Sequence, residues 1–297
     1  MSAVQDVQEK KQAKPNVSRV ILERLKVLDD LPRFPNALMK LEQMLSSNKD
    51  VHLDEVAALV AQDPRLTAGI IGAVNSARYS PGYNITNIEE AVQRLGTQDV
   101  RMMAHAINYQ STVKTKPPFS EKEFMRHAML SAFIAQALAK AVHFDQGEAF
   151  LCGLMHDIGA YLLAIESREK YKQVIQESAG DAAFYVQAEQ SVFGTNHAVL
   201  GGRLLQQWRF PKEVVMGVAM HHAPHAAPEE FQNYAYLTYL AEQGAFFGGL
   251  TNGVVTHKGD VPTDTLLNGL EYFGLPLEHY NDLVLSAAEW AKESSLI

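Results

Sequence analysis

A single cysteine, Cys152, stands in 297 residues, so the chain carries no internal disulfide framework and suits a reducing compartment. Its neighbours Leu151 and Leu154 make it read as a small buried hydrophobe, not a nucleophile. Basic charge is also short. Lys and Arg number 26 against 34 Asp and Glu, a formal net charge of −8 with no basic cluster, which sets nucleic acid aside as an expected partner. Apolar runs are broken by charge or glycine before the roughly 18 residues a membrane span needs, so no span is expected. The opening Met1-Ser2-Ala3-Val4-Gln5-Asp6 lacks a signal peptide's basic and apolar regions, and the cytoplasm is the expected location. Strand-like alternation is scarce too. What is plentiful is hydrophobic residues, 47% of the chain, enough for a sizeable core.

Residues 1–17 are polar and aperiodic and read as a mobile leader. Apolar residues then recur at helical spacing: Ile21, Leu25 and Leu28, next Leu38, Leu41 and Leu45, next Val56, Leu59 and Val60. Thr86 and Glu89 form a capping-box pattern before Ile88, Val92 and Leu95; Gly96 stops that helix and Thr97 starts another. Pro117-Pro118 removes amide donors and marks a boundary. Beyond it, one helix is expected from Ser120 to about Val142 and another from Glu148 to about Ser167. Further helices follow near 169–178, 181–192, 197–208, 212–222 and 229–246. Gly244–Gly259 reads as a glycine-rich loop, and helices near 263–273 and 276–293 close the chain. The expected fold is all-α in two lobes, 18–117 and 118–250, with a helical extension over 251–297 packed on the second.

Histidines carry the chemistry. His127 lies in the stripe Phe124, His127, Ser131 and Ile134, where a buried neutral imidazole is the plain alternative to a ligand. His156-Asp157 ends the apolar run Leu151, Leu154 and Met155, and a buried aspartate needs a cation, a metal or several donors. His197 follows Thr195-Asn196 at a helix start and suits either a ligand or an ordinary first-turn residue. His221-His222 ends a helix whose apolar face is set by Val214, Val215 and Val218, so at least one of the pair points inward. These donors sit on four apolar helices, the way helical bundles build metal sites. Imidazole with carboxylate suits iron, manganese or zinc, and a bridging Asp157 can hold two ions.

The His…His-Asp pattern resembles the HD superfamily of metal-dependent phosphohydrolases, and the stretch from about Leu31 to His222 is similar to the HDOD family, an HD-related output domain. The matching segments are Leu31-Pro32-Arg33-Phe34-Pro35, Asp63-Pro64-Arg65-Leu66-Thr67, Asn75-Ser76-Ala77, Ala91 to Gly96, Ala149 to Gly159, and Phe193-Gly194 with His197 and Gly201. The resemblance implies a helical lobe packed on an HD-like bundle and a role in bacterial signalling. By similarity to HD-GYP phosphodiesterases, His127, His156, Asp157, His197, His221 and His222 fall on metal-ligand positions. Glu123 matches an acidic ligand of some members, although its place three residues after Ser120 reads first as helix capping. The late aspartate of the pattern is Glu242 here. The lysine that follows His-Asp-Ile-Gly in many active relatives is Ala160, and no Gly-Tyr-Pro follows the histidine pair, where Ala223-Pro224-His225 stands. The reading is therefore a signalling protein with one or two divalent ions. The alternative is an active phosphohydrolase on a nucleotide or other phosphate ester, with Asp157 catalytic. A signalling protein or a phosphate-containing small molecule is the expected partner, with a homodimer left open.

Overall fold

The structure, a computed structural model, describes residues 16–27, 35–46, 51–76, 79–112, 117–255 and 264–293. Most of the expected leader, the Leu31–Phe34 part of the first family segment, Ala77 and the loop beyond residue 255 lie outside these residues. Five helices come first: α1 Val17–Val27, α2 Asn36–Ser46, α3 Leu53–Val60, α4 Pro64–Val74 and α5 Ile88–Thr112. The second part holds α6 Glu121–Ala141, α7 Gln146–Met155, α8 Ile158–Glu166, α9 Arg168–Ser178, α10 Ala182–Phe193, α11 His197–Gln207, α12 Lys212–Met220 and α13 Gln232–Phe247. Helices α14 Asp264–Tyr272 and α15 Leu277–Glu293 follow. No strand occurs among the described residues.

Local chemistry explains the boundaries. Asp63 accepts from the amides of Arg65 and Leu66, and Pro64 sits at the first helical position, where a missing amide costs nothing. Asn87 caps α5 by accepting from the Glu90 amide at 2.7 Å, so the cap falls one residue after Thr86. Gly96, at φ 76 and ψ 171, breaks α5 where the sequence stops one helix and starts the next. Asn75 ties the end of α4 to the following turn, donating to the carbonyls of Ile71 and Ile85 and accepting from the Ile85 amide.

Helices α3 and α4 pack on α5, which meets α7 at the junction of the lobes. Helix α6 lies against α7, α13 and α15, and α11 against α8 and α12. Helix α1 departs from the expected division, because it packs on α8 and α11 of the second lobe. Ser18 Oγ lies 2.7 Å from Thr195 Oγ1, and Arg24 pairs with Glu166 at 2.7 Å. An amphipathic stripe such as Ile21, Leu22 and Leu25 specifies that a face is covered, not which lobe covers it.

A second departure concerns apolar length. Gln146–Glu166 is long and apolar enough to cross a membrane by composition, but 89% of its most apolar window is buried inside the protein and a turn at His156-Asp157 divides it. It is the core of the second lobe. Cys152 is buried there, and burial pushes its thiol pKa up, which keeps it unreactive.

Candidate metal centre

The expected single helix over 148–167 is two. After α7 the chain turns at His156 and at Asp157, whose φ of −96 and ψ of 2 leave the helical region. His156 Nδ1 donates to the Gly153 carbonyl at 2.8 Å, and the Ala160 amide bonds the Asp157 carbonyl at 2.8 Å, tightening the turn. Asp157 occupies the cap position of α8 yet makes no side-chain cap bond. The break lets neighbouring residues, which diverge on a continuous helix, turn toward one centre.

The flanking glycines make this turn fit. A Cβ on Gly153 would lie 2.5 Å from the Ser131 carbonyl oxygen of α6, and one on Gly159 would collide with the backbone of His197. Both positions thus require hydrogen as the side chain, so that α7 can approach α6 and α8 can approach α11.

Four other histidines join the pair. His127 comes inward from α6, donating from Nδ1 to the Leu250 carbonyl at 2.9 Å. His197 opens α11 behind the Asn196 cap, and its backbone amide and its Nδ1 both reach Glu189 Oε2 at 2.7 Å. Past the end of α12, His221 Nδ1 donates to the Val218 carbonyl at 2.7 Å, and His222 Nε2 lies 2.8 Å from His197 Nε2. Neighbouring rings stand 4.0 to 5.4 Å apart between centroids, from His127 through His156 and His221 to His197 and His222. Glu242, buried on α13, adds a carboxylate.

Carbonyl acceptors fix the tautomers of three rings. Because Nδ1 of His127, His156 and His221 must carry the proton, each Nε2 presents a lone pair. Those three Nε2 atoms are buried without a hydrogen-bond partner, as are Asp157 Oδ1 and Glu242 Oε2. Asp157 Oδ1 lies 3.4 Å from His197 Nε2, and Asp157 Oδ2 lies 3.4 Å from His156 Nε2. Three overlapping sets, His127-His156-Asp157, Asp157-His221-Glu242 and His197-His221-His222, each bring ligand atoms within 4.8 Å of one another. Unpartnered buried donors are costly, and divalent cations held by these overlapping sets would satisfy them. The residues can therefore hold a metal.

Charge agrees. Burial, reinforced by neighbouring imidazoles, pushes His127 down to about 4 and His221 and His222 well below the ordinary histidine value. Those three neutral rings are in the ligand form, whereas at His156 burial is outweighed by the facing Asp157 carboxylate and the pKa is raised. Burial opposes ionisation of Asp157, but the facing His156 and His197 prevail and hold its carboxyl well below the usual range. Burial lifts Glu242 to about 7 despite the pull of His156. His197 rises to about 9 against its burial because Glu189 lies beside it.

Glu123 stands apart. It is exposed at the start of α6, where its amide donates to Ser120 Oγ at 3.3 Å, the capping role. Glu189, Asn252 and Tyr109 were missed. Glu189 is buried on α10 and receives the Tyr171 hydroxyl at 3.3 Å; its place on the apolar face with Tyr185 and Ala188 was the available signal. Asn252 donates to Asp157 Oδ2 at 2.9 Å. Tyr109 brings a buried phenol from α5, unpartnered and held protonated by burial and the charge of Asp157. The expected loop from Gly244 begins later, because α13 continues to Phe247 and only then turns.

The sequence profile of the HDOD domain matches residues 31–224. The chain belongs to the HDOD family. An uncharacterized protein of Treponema pallidum is 26% identical over 217 residues, 69% of this chain and 40% of that protein, so the HDOD chain spans less than half the length of that relative. Among solved structures, an HDOD domain protein of unknown function from Geobacter sulfurreducens superposes with a TM-score of 0.74 at 23% identity, covering 94% of this chain and 98% of that one. A protein from Shewanella amazonensis, provisionally named a phosphohydrolase, gives 0.71 at 25% identity over 92% and 97%. A Marinobacter aquaeolei protein, provisionally named a signal transduction protein, gives 0.73 at 20% over 94% and 64%. Within this HDOD chain Ala160 is wholly buried on α8, so no cation stands where the resemblance places a lysine.

Proposed function

We propose that this HDOD chain is a cytoplasmic regulatory module of bacterial signal transduction, built around one or two divalent ions of iron, manganese or zinc. The observation that carries the reading is the convergence of five buried donor atoms, the Nε2 of His127, His156 and His221 with Asp157 Oδ1 and Glu242 Oε2, none with a hydrogen-bond partner. Those residues, with His197 and His222, would hold the metal. When bound, such an ion supplies Lewis acidity and ties α6, α7, α11, α12 and α13 together. Asp157 is held ionised to receive it, and Glu189 aims His197. Ala160 supports regulation over hydrolysis, because a transferring phosphoryl group loses a cation that would neutralise its charge. The partner is then a signalling protein that reads the surface of the lobes, or a small molecule carrying phosphate.

The second reading is a metal-dependent phosphohydrolase with Asp157 catalytic. It is favoured by Glu242 at the late acidic position, buried within the cluster, and by the name given to the Shewanella relative. A screen of phosphate esters and cyclic nucleotides separates the two. The regulatory reading expects no turnover at enzymatic rates. Turnover that Asp157→Ala abolishes would overturn it in favour of hydrolysis.

A further inference from the structure

The segment after α13 belongs to the metal centre although it lies beyond the residues that match the family profile. The Leu250 amide bonds the Ala245 carbonyl at 3.0 Å, anchoring the segment to the end of α13. The Leu250 carbonyl then accepts from His127 Nδ1 at 2.9 Å. Gly253, at φ 79, passes so close to the start of α6 that a Cβ would lie 3.0 Å from the Ser120 carbonyl oxygen. Val254 and Val255 are buried and hold the far end.

Asn252 is wholly buried between these anchors. Its Oδ1 accepts from the amides of Val254 at 3.1 Å and Val255 at 2.9 Å, and its Nδ2 donates to Asp157 Oδ2 at 2.9 Å. The orientation is forced. A flipped amide would set two donors against two donors and an oxygen against a carboxylate. Held this way, Asp157 has Oδ2 engaged by Asn252, while Oδ1 stays unpartnered among the histidines.

We infer that the strap from Leu250 to Val255 is a positioning element of the metal centre, in which Asn252 fixes the orientation of Asp157 and the Leu250 carbonyl fixes the tautomer of His127. The inference rests on the metal reading above. It assigns to a glycine-rich loop the outer-shell role that carboxylates and carbonyls play around metal ligands, where removing a partner weakens binding roughly 10- to 100-fold. The loop joins the centre to the C-terminal helices.

Calorimetric titration of Mn²⁺ into metal-free full-length protein tests it. Asn252→Ala should weaken Mn²⁺ binding by at least about tenfold. Glu42→Ala, which breaks a buried network away from the strap and from Asp157, should lower the melting temperature of the metal-free protein and leave Mn²⁺ affinity within about twofold. Should Asn252→Ala fail to fold, Asn252→Ser keeps an oxygen for the strap amides, is too short to reach Asp157, and carries the same expectation. Unchanged affinity in the Asn252 variant overturns the inference, as does an equal loss of affinity in Glu42→Ala. Absence of Mn²⁺ binding by the wild-type protein overturns the metal reading itself.

Discussion

In the first lobe, Glu42 on α2 is buried with both oxygens occupied: Arg101 donates from Nε and Nη2 at 2.8 and 2.7 Å, and His105 Nε2 lies at 2.6 Å. In the second, Asp157 is buried with Oδ2 bound to Asn252 and Oδ1 left without a hydrogen bond beside histidines in the same condition. Both centres combine a carboxylate with imidazole in a core. The first balances its charge with an arginine from its own lobe. In the second, the neutral Asn252 amide engages one oxygen of Asp157, and the Nε2 atoms of His127, His156 and His221 are left without a partner. Burial of polar groups alone therefore does not mark a ligand site. Unpartnered donor atoms aimed at a common point do.

Breaking the closed centre should cost stability and nothing else. Glu42→Ala strands the Arg101 guanidinium in the core, and denaturant unfolding should show a loss of about 3–5 kcal/mol, with the metal content of the folded protein unchanged. Acid probes the same contact. Burial raises the Glu42 pKa, but His105 and Arg101 outweigh it and bring it from 4.5 to about 2. A depressed folded-state value gives stability that is present above pH 4.5 and is lost as pH falls toward 2, worth about 3 kcal/mol. The stability difference between wild type and Glu42→Gln should shrink accordingly over that window. If it stays constant, the network is not closed as described.

Smaller changes sharpen the contrast from the other side. Gly159→Ala forces α8 away from His197, and urea titration should show a loss of about 1–3 kcal/mol, accompanied by weaker metal binding. Glu123→Gln should change stability by less than about 0.5 kcal/mol and leave metal content intact. A loss of metal in that variant would restore Glu123 to the ligand set.

Much of this was legible because local rules govern it. The His156-Asp157 pair, the inward stripe of His127 and the paired histidines after α12 follow from helical spacing, and Gly96 announced its own break. The turn at His156-Asp157 was hidden, since apolar residues stand at helical spacing on both sides of it and only the backbone shows the chain leaving the helix. Glu189, Tyr109 and Asn252 reach the centre from α10, α5 and the strap through tertiary packing, which periodicity does not encode. The Glu42–Arg101–His105 network joins residues 59 and 63 positions apart. Such pairings emerge only when the lobe closes.

The central claim is that the second lobe is completed by a cation. Elemental analysis of the full-length protein, purified without chelators or metal-affinity resin, tests it most directly. At least one iron, manganese or zinc ion per wild-type chain is expected, with its loss in Asp157→Ala. Substoichiometric metal in the wild-type protein would contradict it.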